Sequence, residues 1–291
     1  MTTGRVSVSA ITLDFGNTLV RVDRQGLREV VEETVVGLER RGIVRDHAGF
    51  LAAWAEERDR QFREEVPLFR EVEIPPRAVR VLARLRGMPK PPPEERWDDV
   101  AAAELATPGE VEAVVEGYSS AFLARMAPVA DATTTLERLS GRGFTLGILS
   151  NWPLASTIDR FAEAQGWLAF LRAIVVSQRV GTIKPHPAIF RAAEEALGFS
   201  AGGAVPPAIL HVGDDWAADV VGANEAGWRS AYVRDRQHDT PLPTSARGDD
   251  SGAGDDSGAP DGAVDRPESL TADLEIDELS ELDALVDLAG T

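Results

Sequence analysis

Val6-Ser7-Val8-Ser9-Ala10-Ile11-Thr12-Leu13-Asp14-Phe15-Gly16-Asn17-Thr18-Leu19 is an apolar run that stops on an acid and turns at a glycine. Residues 6–14 have the length and β-branched content of a buried strand. More than a hundred residues with helical periodicity follow. Leu27, Val30, Val31, Val35 and Leu38 fall on one helical face, with Gly42 as the stop. Phe50, Leu51, Trp54 and Phe62 mark a second helix, and Pro75 opens a third with Val79, Leu82 and Leu85 inside it. A proline-rich connector at 89–93 precedes Thr107-Pro108-Gly109-Glu110, a capping box with proline at the first helical position. The helix it opens turns Val111, Val114, Val115, Tyr118 and Phe122 inward.

From Asp131 the rhythm changes. Short apolar runs at 145–149, 173–177, 208–212 and 230–233 alternate with helices ending at Gly141, Gly166, Gly198 and Gly227. That alternation predicts a parallel sheet with helices on both faces. The first strand has no partner inside the helical block, so it is expected to join this later sheet. The predicted fold is therefore α/β, a Rossmann-like doubly wound parallel sheet with an inserted all-helical cap. The core takes residues 1–19 and 129–291, and the cap takes 20–128. Residues 238–269, rich in Asp, Ser and Gly, read as a disordered acidic loop. Leu274-Glu275-Ile276, then Leu279, Leu282 and Leu285, reads as a last strand and helix.

Composition narrows the function classes. A chain of 291 residues that is 43% apolar buries a proper core. No apolar run approaches the roughly 20 residues of a membrane span. Residues 6–13 are too short and mixed for a signal peptide, so a cytoplasmic protein is expected. With no cysteine, disulfides, thiolate metal sites and cysteine nucleophiles are excluded. The four histidines (His47, His186, His211, His238) show no zinc-site spacing. A formal charge of −18 argues against non-specific nucleic-acid binding. Lys90 and Lys184 are the only lysines; the other basic residues are arginine. Many acids with almost no lysine suit a halophilic source, and a GC-rich genome would favour arginine too. Either way, a retained lysine invites a chemical reason.

In an open parallel sheet, ligands sit outside the carboxyl ends of the strands. Those ends carry Asp14, Ser150 with Asn151, and Asp214 with Asp215, while Lys184 lies on the loop after the 173–177 run. Read singly, each has a plain structural alternative. Asp14 can cap the following turn. Ser150-Asn151 and Asp215 can be helix N-caps, and Asp219 can bridge within its helix.

Four segments taken together resemble the haloacid dehalogenase-like superfamily, a group dominated by aspartate-nucleophile phosphatases. They are Leu13-Asp14-Phe15-Gly16-Asn17-Thr18-Leu19; Ile148-Leu149-Ser150-Asn151; Gly181-Thr182-Ile183-Lys184-Pro185; and Val212-Gly213-Asp214-Asp215-Trp216-Ala217-Ala218-Asp219. The position of the helical block resembles the helical-cap subgroup. The resemblance implies that Asp14 attacks a phosphoryl group to give an aspartyl-phosphate. It implies that Ser150, Asn151 and Asn17 hold the phosphate, and that Lys184 neutralises Asp14 and the transferring group. Mg²⁺ would take Asp14, the Gly16 carbonyl and Asp214 as ligands. Asp215 would support the site, and Asp219 would orient Lys184.

Gly16 departs from that pattern. Phosphatases of this group usually carry a second Asp there, which protonates the leaving oxygen and activates water. Such help is worth on the order of 10²–10⁴ in rate. The expectation is a Mg²⁺-dependent phosphatase of a small phosphorylated metabolite, monomer or homodimer, with weak or specialised activity. A 2-haloacid dehalogenase-like hydrolase, or a catalytically impaired binding or regulatory protein, are the alternatives. A phosphonate-cleaving relative would need a cap lysine, for which Lys90 is the one candidate. Arg77, Arg80 and Arg84 share a helical face, expected to be solvated and bridged to nearby Glu, or else to greet an anionic substrate. Trp152 and Trp216 are expected as pocket walls, and His186 and His211 as local structure.

Overall fold

The computed structural model describes residues 5–199, 208–234 and 270–289. Six parallel strands form the main sheet: β2 (Ala10–Leu13), β3 (Thr145–Ser150), β4 (Leu171–Val176), β5 (Ile209–Gly213), β6 (Arg229–Val233) and β7 (Leu274–Ile276), in the order β4-β3-β2-β5-β6-β7. β2 is central, with Leu13 aligned between Ile148 of β3 and Val212 of β5. The chain builds outward from β2 to β4, then returns to add β5 on the other side. The order reverses between β2 and β5, and a crevice opens there at the carboxyl ends.

Side chains alternate across the pleat, so the sheet has two apolar faces. Ile11, Leu13, Ile148 and Val212 pack with α6 (Ala132–Gly141) and α7 (Ala155–Ala164) through Leu136, Ile158 and Phe161. Ala10, Leu149 and Ile209 pack on the other side against Ile189 and Phe190 of α9 (Pro187–Leu197). Helices on both faces explain why these strands read as nearly continuous apolar runs.

Between β2 and β3 the chain is helical: α1 (Arg24–Arg40), α2 (His47–Glu65), α3 (Ile74–Leu85), α4 (Asp99–Glu104) and α5 (Pro108–Arg125). Asp23 and Asp46 cap α1 and α2, and the expected capping box of Thr107 and Glu110 starts α5. Among the described residues no helix is long and apolar enough to cross a membrane.

Three expectations change. Residues 6–14 are not one strand: β1 (Val6–Val8) leaves the sheet at Ser9 and pairs in parallel with β8 (Val286–Leu288). The break falls at Ser9, whose N–H goes to the Ala208 carbonyl at 2.8 Å and whose carbonyl accepts the Thr145 N–H at 3.1 Å. The short α4 follows the proline-rich connector and is capped by Asp98. The arginine face is not solvated: Arg77 and Arg80 are 4% and 7% exposed. Arg80 pairs with Asp99 and Arg84 with Glu56 and Glu57, but Arg77 bonds to neutral groups. The acidic stretch 238–269 lies outside the described residues.

Two glycines separate packing from propensity. Gly37 in α1 has open space where a Cβ would stand, whereas at Gly222 a Cβ would meet Phe190 at 2.7 Å and Pro185 at 3.0 Å. In urea unfolding, Gly37→Ala should stabilise by about 0.5–1 kcal/mol. Gly222→Ala should destabilise by about 1–3 kcal/mol through overpacking.

Candidate active site

The carboxyl ends of β2, β3 and β5 and the loop after β4 converge on one ammonium group. Lys184 is 1% exposed. Its Nζ donates to Asp14 Oδ1 at 2.8 Å, Asp219 Oδ1 at 2.6 Å and the Leu149 carbonyl at 2.9 Å. Three protons therefore meet three acceptors. Burial alone would lower the pKa of this lysine, but the charges of Asp14 and Asp219 outweigh it and push the pKa above the usual lysine range. Asp219 moves the other way: burial works to raise it, yet Lys184 and His211 hold it below the usual carboxylate range.

The support beneath this cluster is local. Asn151, next after β3, accepts the Lys184 N–H at 2.7 Å and donates to its carbonyl at 3.0 Å. The amide expected to hold phosphate thus clamps the lysine loop. His211 is buried, and burial and then the neighbouring Lys184 lower its pKa. Its Nδ1 lies 2.9 Å from Thr12 Oγ1 and its Nε2 3.0 Å from Asp219 Oδ1. A neutral ring with the proton on Nε2 accepts from Thr12 and donates to Asp219. The local-structure reading of His211 fits, and the group it orients is the one that orients Lys184.

Asp219 sits in a π-helical turn, Trp216–Val221, entered through Asp215, whose carboxylate caps it by accepting from Ala217 and Ala218 N–H at 3.0 Å. The second Asp219 oxygen accepts the Asp215 N–H at 2.9 Å, so the carboxylate that bonds Lys184 also bonds within its own turn. Gly213 is required here. A Cβ on it would lie 2.0 Å from Asp219 Oδ2.

Asp14 and Asp214 stand at the β2/β5 switch point, linked by the Asp14 N–H bonding to the Val212 carbonyl at 2.8 Å. Asn17 adopts a left-handed conformation (φ 54°), and its Oδ1 accepts the Val22 N–H at 3.0 Å, closing the turn. Thr18 Oγ1 donates to Asp214 Oδ1 at 3.3 Å. Ser150 is the buried last residue of β3. Gly16 is buried within the same turn.

Negative charge is in excess. Burial, then Asp14, Asp219 and Asp215, push Asp214 well above the usual carboxylate range. Burial, then Asp219, raises Asp215 to about 6. Burial also raises Asp14, with Lys184 opposing. Hard oxygens with surplus negative charge are the donor set that Mg²⁺ takes. Among the described residues no three His, Asp or Glu side chains converge as a ready-made cage.

A cavity of about 630 Å³ opens above these groups. Asp14, Asn151, Lys184 and Asp214 line it together with residues of α1, α2 and α3. Trp152 contributes to the wall, but Trp216 is not among the lining residues and packs instead on Tyr232. Lys90 is exposed on Glu56, apart from the lining residues, which removes a cap lysine from the chemistry.

Sequence reasoning missed Glu71. It lines the cavity, is buried, and accepts from Ser177 Oγ and at 2.9 Å from Val72 N–H. Ser177 in turn accepts the Trp152 N–H at 2.9 Å. Burial raises the pKa of Glu71. An acid in a connector between Arg70 and Val72 carries no motif that could have flagged it.

A sequence model described as haloacid dehalogenase-like hydrolase matches residues 8–227. The chain belongs to that family. Its curated relatives include a glyceraldehyde 3-phosphate phosphatase of Methanopyrus kandleri, 30% identical over 163 residues, covering 56% of this chain and 63% of that protein. A ribulose-1,5-bisphosphate 5-phosphatase of Halopiger xanaduensis is 35% identical over 131 residues, 43% of this chain and 52% of that one. The match thus spans roughly half to two thirds of these relatives. Among solved structures, a 2-haloacid dehalogenase from Pseudomonas syringae aligns over 96% of this chain and 97% of its own, with a TM-score of 0.61 and 19% identity. At that identity the likeness is one of fold, and within this family fold the four motifs meet at one crevice.

Replacing Lys184 by Met should expose how strongly the cluster depends on it. Asp14 and Asp219 would be left buried without their cation, a cost of about 3–5 kcal/mol at neutral pH. The Asp219 contribution in the native protein is complete above the unfolded carboxylate value of 3.8 and is lost only as pH falls through the depressed folded value. Unpaired carboxylates have raised folded values instead. The deficit of the variant, read from urea unfolding between pH 4 and 8, should therefore shrink as the pH is lowered.

Proposed function

We propose that this chain is a Mg²⁺-dependent phosphatase acting on a small phosphorylated metabolite. The observation that carries the reading is Asp14 at the β2/β5 switch point, bonded to the buried Lys184 and facing the cavity. The phosphatase relatives support it. Asp14 is the nucleophile: its carboxylate attacks the phosphoryl group, the ester oxygen leaves, and water then hydrolyses the aspartyl-phosphate. Lys184 keeps Asp14 oriented and offsets the charge of the entering phosphoryl oxygens. Ser150 and the backbone donors that follow β3 bind those oxygens.

Mg²⁺ would be held by Asp14, the Gly16 carbonyl and Asp214, where it supplies charge neutralisation for the transferring group. Asp219 and Asp215 act behind these residues, Asp219 by holding Lys184 and Asp215 by capping the turn that carries Asp219. Residues 20–128 serve as the cap domain and 1–19 with 129–291 as the core, so that α1 to α3 close the cavity over the substrate. Without a carboxyl at position 16, leaving-group protonation falls to another group or the substrate carries a good leaving group.

A dehalogenase needs no leaving-group acid, which Gly16 allows. The surplus of buried carboxylates at Asp214 and Asp215 favours the metal-dependent reading.

Two measurements test the proposal. Against a panel of phosphomonoesters and acyl phosphates with Mg²⁺, wild type should turn over at least one compound and Asp14→Asn none. Gly16→Asp should raise kcat on alkyl phosphates by on the order of 10²-fold or more. No turnover by wild type on any panel member sinks the reading.

The metal is tested without turnover. At pH 7.5 Mg²⁺ should raise the melting temperature, since binding at 10–100 times Kd stabilises by about 1–3 kcal/mol. Asp214→Asn should abolish that response while raising the metal-free melting temperature by about 2–6 °C, as one uncompensated charge is removed. An unchanged Mg²⁺ response in Asp214→Asn rules out this ligand set.

A further inference from the structure

The cavity is electrically polar. Its floor carries Asp14, Asp214, Asp215 and Asp219 with the single Lys184. Its lining from the helical region carries four arginines, Arg24 and Arg28 of α1, Arg58 of α2 and Arg77 of α3, with the acids Glu32 and Glu71. Arg24 and Arg28 are exposed, and Arg58 pairs with its neighbour Asp59.

Arg77 is different in kind. It is only 4% exposed, yet among the described residues no carboxylate pairs with it. Nε donates to Gln61 Oε1 at 2.8 Å and Nη2 to the Val72 carbonyl at 2.9 Å, and the guanidinium lies 5.2 Å from the centre of the Trp54 ring. These partners orient the guanidinium without discharging it. Burial lowers its pKa to about 10, so it stays cationic at neutral pH, but under-compensated. Glu71 acts on it only at longer range, and burial drives that carboxyl toward its neutral form. Arg80 and Arg84, one and two turns along α3, both have acidic partners. A buried cation is normally paired, and one that is not marks a place where a counter-ion arrives with the ligand.

We propose that Arg77 receives a second anionic group of the substrate, so that this site prefers phosphorylated compounds bearing a carboxylate or a further phosphate over phosphate esters with a neutral remainder. The inference rests on the phosphatase reading for the end of the cavity that takes the first phosphate. A planar fork held by Gln61 and a carbonyl suits a carboxylate or phosphate, and the exposed Arg24 and Arg28 draw such ligands in.

The experiment compares glycerol phosphate, phosphoglycerate and glycerol bisphosphate, which differ in the group beyond the first phosphate. With Mg²⁺, wild type should show kcat/KM about tenfold to a hundredfold higher for one or both of the anionic compounds than for glycerol phosphate, mostly through KM. Which of the two leads decides between a carboxylate and a phosphate. Arg77→Gln should bring all three to the glycerol phosphate value, and Arg77→Lys should keep part of the preference. The same preference is read by calorimetric titration of Asp14→Asn protein, with and without Arg77→Gln, where no turnover is needed.

Turnover without any preference overturns this inference and leaves the phosphatase reading intact. A binding preference that depends on Arg77, in a protein that hydrolyses nothing, sinks the phosphatase reading alone. Equal losses on all three compounds in both Arg77 variants would mean a structural role and overturn the inference.

Discussion

A lysine ammonium 1% exposed to solvent is the constraint on which this architecture turns. Removing such an ion from water costs several kcal/mol even after the protein relaxes. The cost is offset only if each proton finds an acceptor and the surrounding charge is negative. Lys184 meets both conditions through Asp14, Asp219 and Leu149, groups from the ends or following turns of β2, β5 and β3. The loops after the central strands are therefore tied to one point. Moving any of them strands a buried charge, so the rim of the sheet is more tightly determined than loops usually are.

The tie extends into the helical region. Ile183 N–H and Thr182 Oγ1, just before Lys184, bond to the Phe69 carbonyl at 3.0 and 2.9 Å. Ile74 N–H bonds to the Pro153 carbonyl at 3.1 Å, and Glu71 reaches Ser177, whose hydroxyl also holds Trp152. The segment 69–74 thus touches the loops after both β3 and β4. Glu71 and Arg77 line the same cavity as Lys184, and Arg77 bonds into this segment through the Val72 carbonyl. The cavity-lining Glu71 is held by one of the bonds that join this segment to the loops of the sheet.

Much of this was legible because chemistry and topology both leave local marks. The strand ending at Asp14 reads as apolar residues followed by an acid and a turn, and the alternation after Asp131 sets a parallel sheet. Lys184 stands out because lysine is otherwise nearly absent. What could not be read depends on partners distant in sequence. β1 departs from β2 to pair with β8, some 280 positions on, and a continuous apolar run gives no hint of that break. The side-chain amide of Asn151 turned out to clamp the Lys184 backbone, because the polar atom nearest in space is not nearest in sequence. Arg77, Arg80 and Arg84 look alike at helical spacing. Their acidic partners come from α2 and α4, and of the three only Arg77 has none among the described residues.

Gly16 gains meaning from the same electrostatics. The floor already holds more negative charge than Lys184 neutralises, which is why Asp214 is pushed well above the usual carboxylate range. A carboxyl added at position 16 would enter that field buried, and burial with like charges favours its protonated form. A protonated carboxyl is what a general acid requires, so the environment here is suited to the residue it lacks. Glycine, by contrast, leaves the backbone carbonyl available and adds no further charge to an acid-rich floor. Under the proposed phosphatase chemistry, the residue at this position would shift the balance between stability of the resting site and assistance to the leaving group. On that proposed reading, fold stability and leaving-group chemistry meet at this one position.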